Sequence, residues 1–183
     1  MDKIYLNFNK LRKQGFNGVI IALCLLFAII TLSYVLFHNP HRDLHAAICR
    51  TADNIRNYYR DQPSYWKLSD DLAKEALLID KVLLKCTDYT WHVGQGTQGD
   101  VSMPNDNSFD IALNKLSKSA CINLSELPID KKQQLGLQKI TIVNDEGRTE
   151  FAWGDEKSPL PIASYATRDK CISGNNTVIW TFR

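Results

Sequence analysis

FNGVIIALCLLFAIITLSYVLF, residues 16–37, is a run of 22 residues without a single charge. At 1.5 Å per residue a helix of that length spans roughly 33 Å, the thickness of a bilayer core. A cleaved secretory signal needs a shorter apolar core, about 7–15 residues, and a small-x-small cleavage site. Here the run is long, and Phe37-His38-Asn39-Pro40 follows it, so the sequence predicts a retained membrane anchor. Lys3, Lys10, Arg12 and Lys13 precede the run, and only Arg42 follows closely. The positive-inside rule then puts the N-terminus in the cytoplasm and the rest of the chain outside. This one segment decides the architecture: a basic stretch 1–15, a spanning helix 16–37, its extracytoplasmic continuation 38–62, and a head 63–183.

The head follows from that topology. Residues 1–15 hold four basic residues and one acid, leaving 18 basic and 19 acidic residues for the rest of the chain. A near-neutral body offers no clustered basic face, so no nucleic-acid partner is expected. Cys24 lies within the span, while Cys49, Cys86, Cys121 and Cys171 form an even set in an exported body, as expected for disulfides. Four cysteines allow three pairings, which sequence alone leaves open; the set favoured is Cys49–Cys86 with Cys121–Cys171.

Beyond the span the hydrophobic pattern has a helical period. Leu44, Ile48, Ala52, Ile55 and Tyr59 recur at three- and four-residue steps, predicting a helix over 41–60, with a kink at Pro40 and an end before Pro63. A second helix is predicted at 69–85: Ser69 is its N-cap, Asp70 and Asp71 fill the first turn, Lys81 and Lys85 the last, and Leu72, Ala76, Ile79 and Leu83 its buried face. The period then changes. Strands are predicted at Tyr89–Val93, Phe109–Leu113, Leu137–Val143, Glu150–Trp153 and Thr177–Phe182, with a loop or hairpin end rich in Gly, Asp and Asn over Gly94–Asn107 and a short helix carrying Cys121, Ala120, Leu124 and Leu127. A turn is expected at Asn144–Gly147, and Ser173-Gly-Asn-Asn176 leads into the last strand. Helices followed by strands indicate an α+β fold: a long N-terminal helix, half membrane-spanning and half amphipathic, packed on an antiparallel sheet.

The motifs with chemical meaning are weak. Gly94-Gln-Gly96-Thr-Gln-Gly99 spells a dinucleotide fingerprint, but no helix start or βαβ unit follows it. His41, His45, Cys49 and Asp53 share one helical face and are zinc-ligand types; this face is the whole basis for a membrane-tethered enzyme or metal-binding module. The plainer reading, which is preferred, is a polar, solvent-facing side of a juxtamembrane helix with Cys49 taken up in a disulfide. Ser64-Tyr-Trp-Lys67 lacks the companion motifs of serine acyltransferases. Asn123-Leu-Ser125 and Asn175-Asn-Thr177 are short sequons that arise readily by chance. Tyr65, Trp66, Trp91, Trp153 and Trp180 read as packing residues. No enzymatic activity and no cofactor are expected.

Lys13-Gln-Gly15-Phe16 before an apolar helix resembles a type IV prepilin leader and its cleavage site, with a basic leader of the length seen in type IVb pilins. The C-terminal half is similar to the major-pilin family of conjugative thin pili. The matching pieces are Trp91 to Gly94, the Phe109-Asp-Ile111 strand, Cys121 with Leu124, Lys139-Ile-Thr-Ile-Val143, and Ala163 through Cys171 to Trp180. The resemblance implies a structural subunit of a pilus, or fimbrial, filament. It implies cleavage after Gly15 and methylation of Phe16 by a prepilin peptidase, and packing of the long helix against other pilin subunits. It further implies that a Cys121–Cys171 bridge closes the exposed C-terminal loop region. One position departs from the family. Type IV pilins usually have glutamate at the fifth residue after the cut, and here that residue is Ile20. That carboxylate is thought to pair with the N-terminal ammonium of the adjacent subunit, and a buried unpaired ammonium costs on the order of several kcal/mol. A tip subunit has no such neighbour ahead, so the expectation is a minor pilin that primes or caps assembly. The alternative is an uncleaved single-pass inner-membrane accessory protein of a secretion or conjugation apparatus.

Overall fold

Leu44, Ile48, Ala52, Ile55 and Tyr59 are all buried in the computed structural model, which describes residues 23–31, 40–98, 103–126 and 136–183. They line one side of helix α1, Pro40–Tyr59. Within the described residues the helix starts at Pro40; the kink expected there involves residues 32–39, which lie outside the described residues. The five side chains join the core of a five-stranded antiparallel sheet of order β1-β2-β5-β3-β4. Its strands are β1 (Thr90–Gln98), β2 (Met103–Leu116), β3 (Leu137–Asn144), β4 (Gly147–Ala152) and β5 (Asn176–Phe182). The register stacks Ile111, Trp180 and Ile140 across the three inner strands, with Leu113, Val178 and Ile142 as the next layer and Phe109 beside Phe182. All of these are buried, so one sheet face and one helix stripe form a single core. The class is α+β, as the order of sequence periods requires.

Arg56 ties α1 to the end of β5. Its Nε donates to the Arg183 carbonyl at 3.1 Å and its guanidinium lies 5.5 Å from the Phe182 ring centroid. The Arg183 N–H in turn donates to Gly136 O at 2.6 Å. Gly136 has φ +99°, and a Cβ there would collide with that guanidinium, so glycine is required at this crossing.

The predicted 69–85 helix is two short ones, α2 (Asp70–Glu75) and α3 (Lys81–Lys85). Leu77 takes φ +55°, which ends the first, and Asp80 opens the second by accepting from Val82 N at 2.8 Å. Ser69 caps α2 as expected, accepting from Leu72 N at 3.3 Å. The break lets 78–80 lie along α1. Asn54 donates to Leu78 O (3.0 Å), Thr51 Oγ1 accepts from Asp80 N (3.0 Å), and Arg50 donates to Asp80 (2.6 Å). The Arg50 hydrogen bond holds the Asp80 carboxyl below the usual range, helped by the Val82 amide. A depressed folded pKa contributes stability above the unfolded value of about 3.9, and that stability is lost as pH falls through the lower folded value. Asp80→Asn keeps an N-capping oxygen and removes the charge. At neutral pH it is expected to cost no more than about 1 kcal/mol, because Arg50 is more than half exposed. Its denaturation midpoint should fall less than wild type's between pH 5 and pH 3. Equal acid sensitivity of the two proteins would remove this pair from the acid response.

Gly94–Asn107, predicted as a loop or hairpin end, is the outer part of the β1–β2 hairpin: β1 runs on to Gln98 and β2 starts at Met103. The turn predicted at Asn144–Gly147 joins β3 to β4: Asn144 pairs with Gly147, which takes φ +132°, and Asp145-Glu146 connect them.

The chain divides into two units, Met1–Pro40 and His41–Arg183. In the first, residues 23–31 are helical and their large apolar side chains are exposed. Thr31 turns its hydroxyl back to Phe27 O at 2.9 Å, so it adds no free polar group. Among the described residues no helix is long and apolar enough to cross a membrane. The remainder of the expected span, 16–22 and 32–37, lies outside the described residues, as does the 1–15 leader.

Candidate functional site

The C-terminal loop region is organised by two short helices and one buried asparagine. Ser117 caps α4 (Lys118–Ser125), accepting from Ala120 N at 3.3 Å. This turns Cys121 and Leu124 into the core, where both are fully buried. Ser125 returns its hydroxyl to Cys121 O at 2.7 Å. Helix α5 (Ser164–Arg168) ends with Cys171 N donating to Thr167 O at 2.9 Å. Cys121 and Cys171 form a disulfide, with Cα atoms 5.9 Å apart and a sequence separation of 50. Thr167 adds a second tie between the helices, donating to Glu126 at 2.7 Å.

Asn176 anchors the turn that follows. Its Nδ2 reaches Leu116 O (3.0 Å), Ile172 O (2.9 Å) and Gly174 O (3.2 Å). Its Oδ1 accepts from Ile172 N (3.0 Å) and from Asn144 Nδ2 (3.2 Å). Asn144 also donates to Lys170 O at 2.7 Å. The result is a surface loop, 172–175, fixed from below to β2 and β3. Sequence reasoning missed this role: Ser173-Gly-Asn-Asn176 reads as a turn, but nothing in it signals that the last asparagine is buried against residues 60 positions away. Nor does five-residue α5 have a periodic signature long enough to read.

The expected Cys49–Cys86 bridge is not formed; both thiols are free, as is Cys24. The α1–α3 clasp explains it. Arg50 and Thr51 hold Asp80 at the start of α3, while Cys86 follows the other end of that helix, about 9 Å further on. Cys86 instead lines a hollow of about 310 Å³ with Asp70, Lys74, Tyr89, Trp91 and His92. Burial pushes the Cys49 thiol up, with Asp53 adding to the effect, which makes it a poor nucleophile. Among the described residues no three His, Cys, Asp or Glu side chains converge to hold a metal ion. The side chain of His41 lies outside the described residues. The Gly94–Gly99 motif does not build a nucleotide site: Gly94 and Gly96 lie within strand β1, Gly99 lies outside the described residues, and the next element is strand β2. Of the aromatics read as packing residues, Trp180 is central to the core, and Tyr65 and Trp91 pack at its margin. Trp66 and Trp153 are exposed, although Trp153 Nε1 donates to Leu137 O at 2.8 Å. The processing positions Gly15 and Phe16 lie outside the described residues.

No protein-family model matches the chain, and no curated protein is significantly similar to it.

Proposed function

We propose that the chain is a type IV pilin-like subunit, a minor pilin that primes assembly or occupies the tip of a filament. The observation that carries this reading is the basic leader ending in Gly15-Phe16, joined to 22 uncharged residues and then to an exported-type head. The head supports it in a coarse way: an amphipathic helix lies across one face of an antiparallel sheet, and a disulfide closes the C-terminal loop region. In this reading the subunit sits in the bacterial inner membrane with its N-terminus in the cytoplasm and its head in the periplasm, until assembly draws it into a pilus. Its partners are other pilin subunits and a prepilin peptidase, which cuts after Gly15 and methylates Phe16. Ile20 restricts its place in the filament. With no carboxylate in the span to neutralise a neighbour's ammonium, insertion along the shaft costs on the order of several kcal/mol per subunit.

The N-terminal mass of the protein from its native membrane tests the proposal. With an active prepilin peptidase the expected N-terminal peptide starts at methylated Phe16; without the peptidase residues 1–15 are retained. Retention in both strains would move the chain to the second reading, an uncleaved single-pass accessory protein of a secretion or conjugation apparatus. Recovery as the main component of purified pili would overturn the tip assignment and make it a major subunit.

A further inference from the structure

Residues 70–85, DDLAKEALLIDKVLLK, are written as one helix and folded as two. The stretch has neither glycine nor proline, and Leu72, Ala76, Ile79 and Leu83 recur at helical spacing along its whole length. What forms instead is α2, of six residues, and α3, of five, each too short to hold itself in water. The break is locally unfavourable. Leu77 sits at φ +55°, a conformation that a leucine side chain disfavours, and it is 81% exposed, so no burial of its own offsets the strain. Asp80 is extended, with ψ 143°.

The offsetting contacts come from α1. Asn54 donates to Leu78 O, Thr51 Oγ1 accepts from Asp80 N, and Arg50 Nε donates to Asp80 Oδ2. Leu78 is buried as well. In a straight helix Ile79 and Leu83 would stay on the apolar stripe, whereas Leu78 and Asp80 would turn off it. The straight form also fits the connection to β1. Lys74 places Nζ 5.1 Å from the Trp91 ring centroid, which fixes the entry of β1 beside α2. From Lys74 a straight helix runs eleven residues, about 16 Å, to Lys85, and the six steps from Lys85 to Trp91 reach about 20 Å.

We propose that residues 77–80 are a latch on α1. Arg50, Thr51 and Asn54 hold them broken; when those contacts are lost, residues 70–85 join into one helix and the side of α1 that carries the three residues is uncovered. Local sequence preference and tertiary contacts oppose each other here, which is the condition for a segment with two conformations. The latch belongs to the head alone and operates whether or not the chain enters a filament.

The test compares full-length wild type, Asp80→Ala, and Asp80→Ala combined with Leu77→Gly, isotope-labelled and in the same detergent. Backbone chemical shifts at position 80 tell an extended residue from a helical one. Wild type is expected to be extended there. Asp80→Ala removes both the Arg50 partner and the α3 cap and leaves a good helix former, so the straight form should gain about ten-fold or more in population and position 80 should become helical. Adding Leu77→Gly should restore the break, because glycine adopts the left-handed conformation freely and weakens a helix interior. An extended position 80 in Asp80→Ala overturns the proposal, since the break then persists without its latch. A double variant as helical as the single one overturns it too. If Asp80→Ala does not fold, Arg50→Gln removes the ion pair and keeps the cap. A smaller shift towards helix at position 80 then supports the proposal, and an unchanged one overturns it.

Discussion

Replacing Cys121 and Cys171 together by alanine is expected to cost about 4 kcal/mol and to lower the melting temperature by about 10 °C or more. The first figure follows from the chain entropy that a 50-residue closed loop removes from the unfolded state, and the second from the enthalpy of a domain of this size. The loss falls unevenly. Ser125 leans on Cys121 O and Cys171 N closes the end of α5, so α4 and α5 should loosen first. The 172–175 turn keeps its ties through Asn176 and Asn144 and should persist longer. Wild type under reducing conditions should match the double variant, whereas replacing Cys24, Cys49 and Cys86 by serine should leave the response to reductant intact. Alkylation of the unfolded protein gives an independent reading: with five cysteines in the chain and one bridge, three thiols should react before reduction and all five after it. Identical melting of wild type with and without reductant, or five reactive thiols from the start, would sink the prediction. The same experiment bears on the free pair. Cys49 has a raised thiol pKa from burial and should alkylate slowly in the native state.

The parts of the fold legible in the sequence are those in which one residue's environment repeats down an element. The α1 stripe from Leu44 to Tyr59 is legible because five positions at helical spacing bury the same side, and β3, β4 and β5 are legible because alternation or an apolar run meets a turn with Gly147 or Gly174. What escaped depends on single residues or on distant partners. Leu77 ends α2 by adopting a left-handed conformation that its side chain does not favour, and no propensity scale signals that. Asp80 did carry a readable signal, a capping residue just ahead of Lys81-Val-Leu-Leu84, hidden by a periodic pattern that continues through the break. The outer β1–β2 hairpin was legible only as a loop or hairpin end, because Gly94–Asn107 carries no apolar alternation to mark two strands. In the C-terminal loop region, cysteine counting indicated disulfides but could not settle a pairing, since pairing depends on where the α1–α3 clasp leaves Cys86. Asn176 was invisible because its role lies wholly in its contacts, from Leu116 to Asn144, and these exist only once β2, β3 and β5 are assembled. Asp70 read correctly as a first-turn acid, with nothing to show that its carboxylate would accept from Val93 N on a strand 23 residues away.

Trp180→Ala is expected to destabilise the head by about 3–5 kcal/mol, the range for removing a fully buried large aromatic residue. Trp180 is the largest of the side chains with essentially no exposure, and it sits on the central strand, flanked by Ile111 on one side and Ile140 on the other. Neither neighbour can move in to fill the space without breaking its own register, so the cavity should persist. The indole also carries a cost of its own: Nε1 is buried and finds no acceptor among the described residues. Trp180→Phe therefore sets two effects against each other. It leaves a small void, and it removes an N–H whose unsatisfied burial costs about 1–3 kcal/mol. The net change should stay within about 1.5 kcal/mol, as for other volume-conserving aromatic swaps. Trp66→Ala, at a side chain 61% exposed, should fall within about 0.5 kcal/mol of wild type. Urea denaturation followed by circular dichroism separates the three without relying on tryptophan emission. If Trp180→Phe proves as damaging as Trp180→Ala, the indole N–H has a partner and contributes to stability; if both are mild, Trp180 is not the residue on which the helix and sheet close.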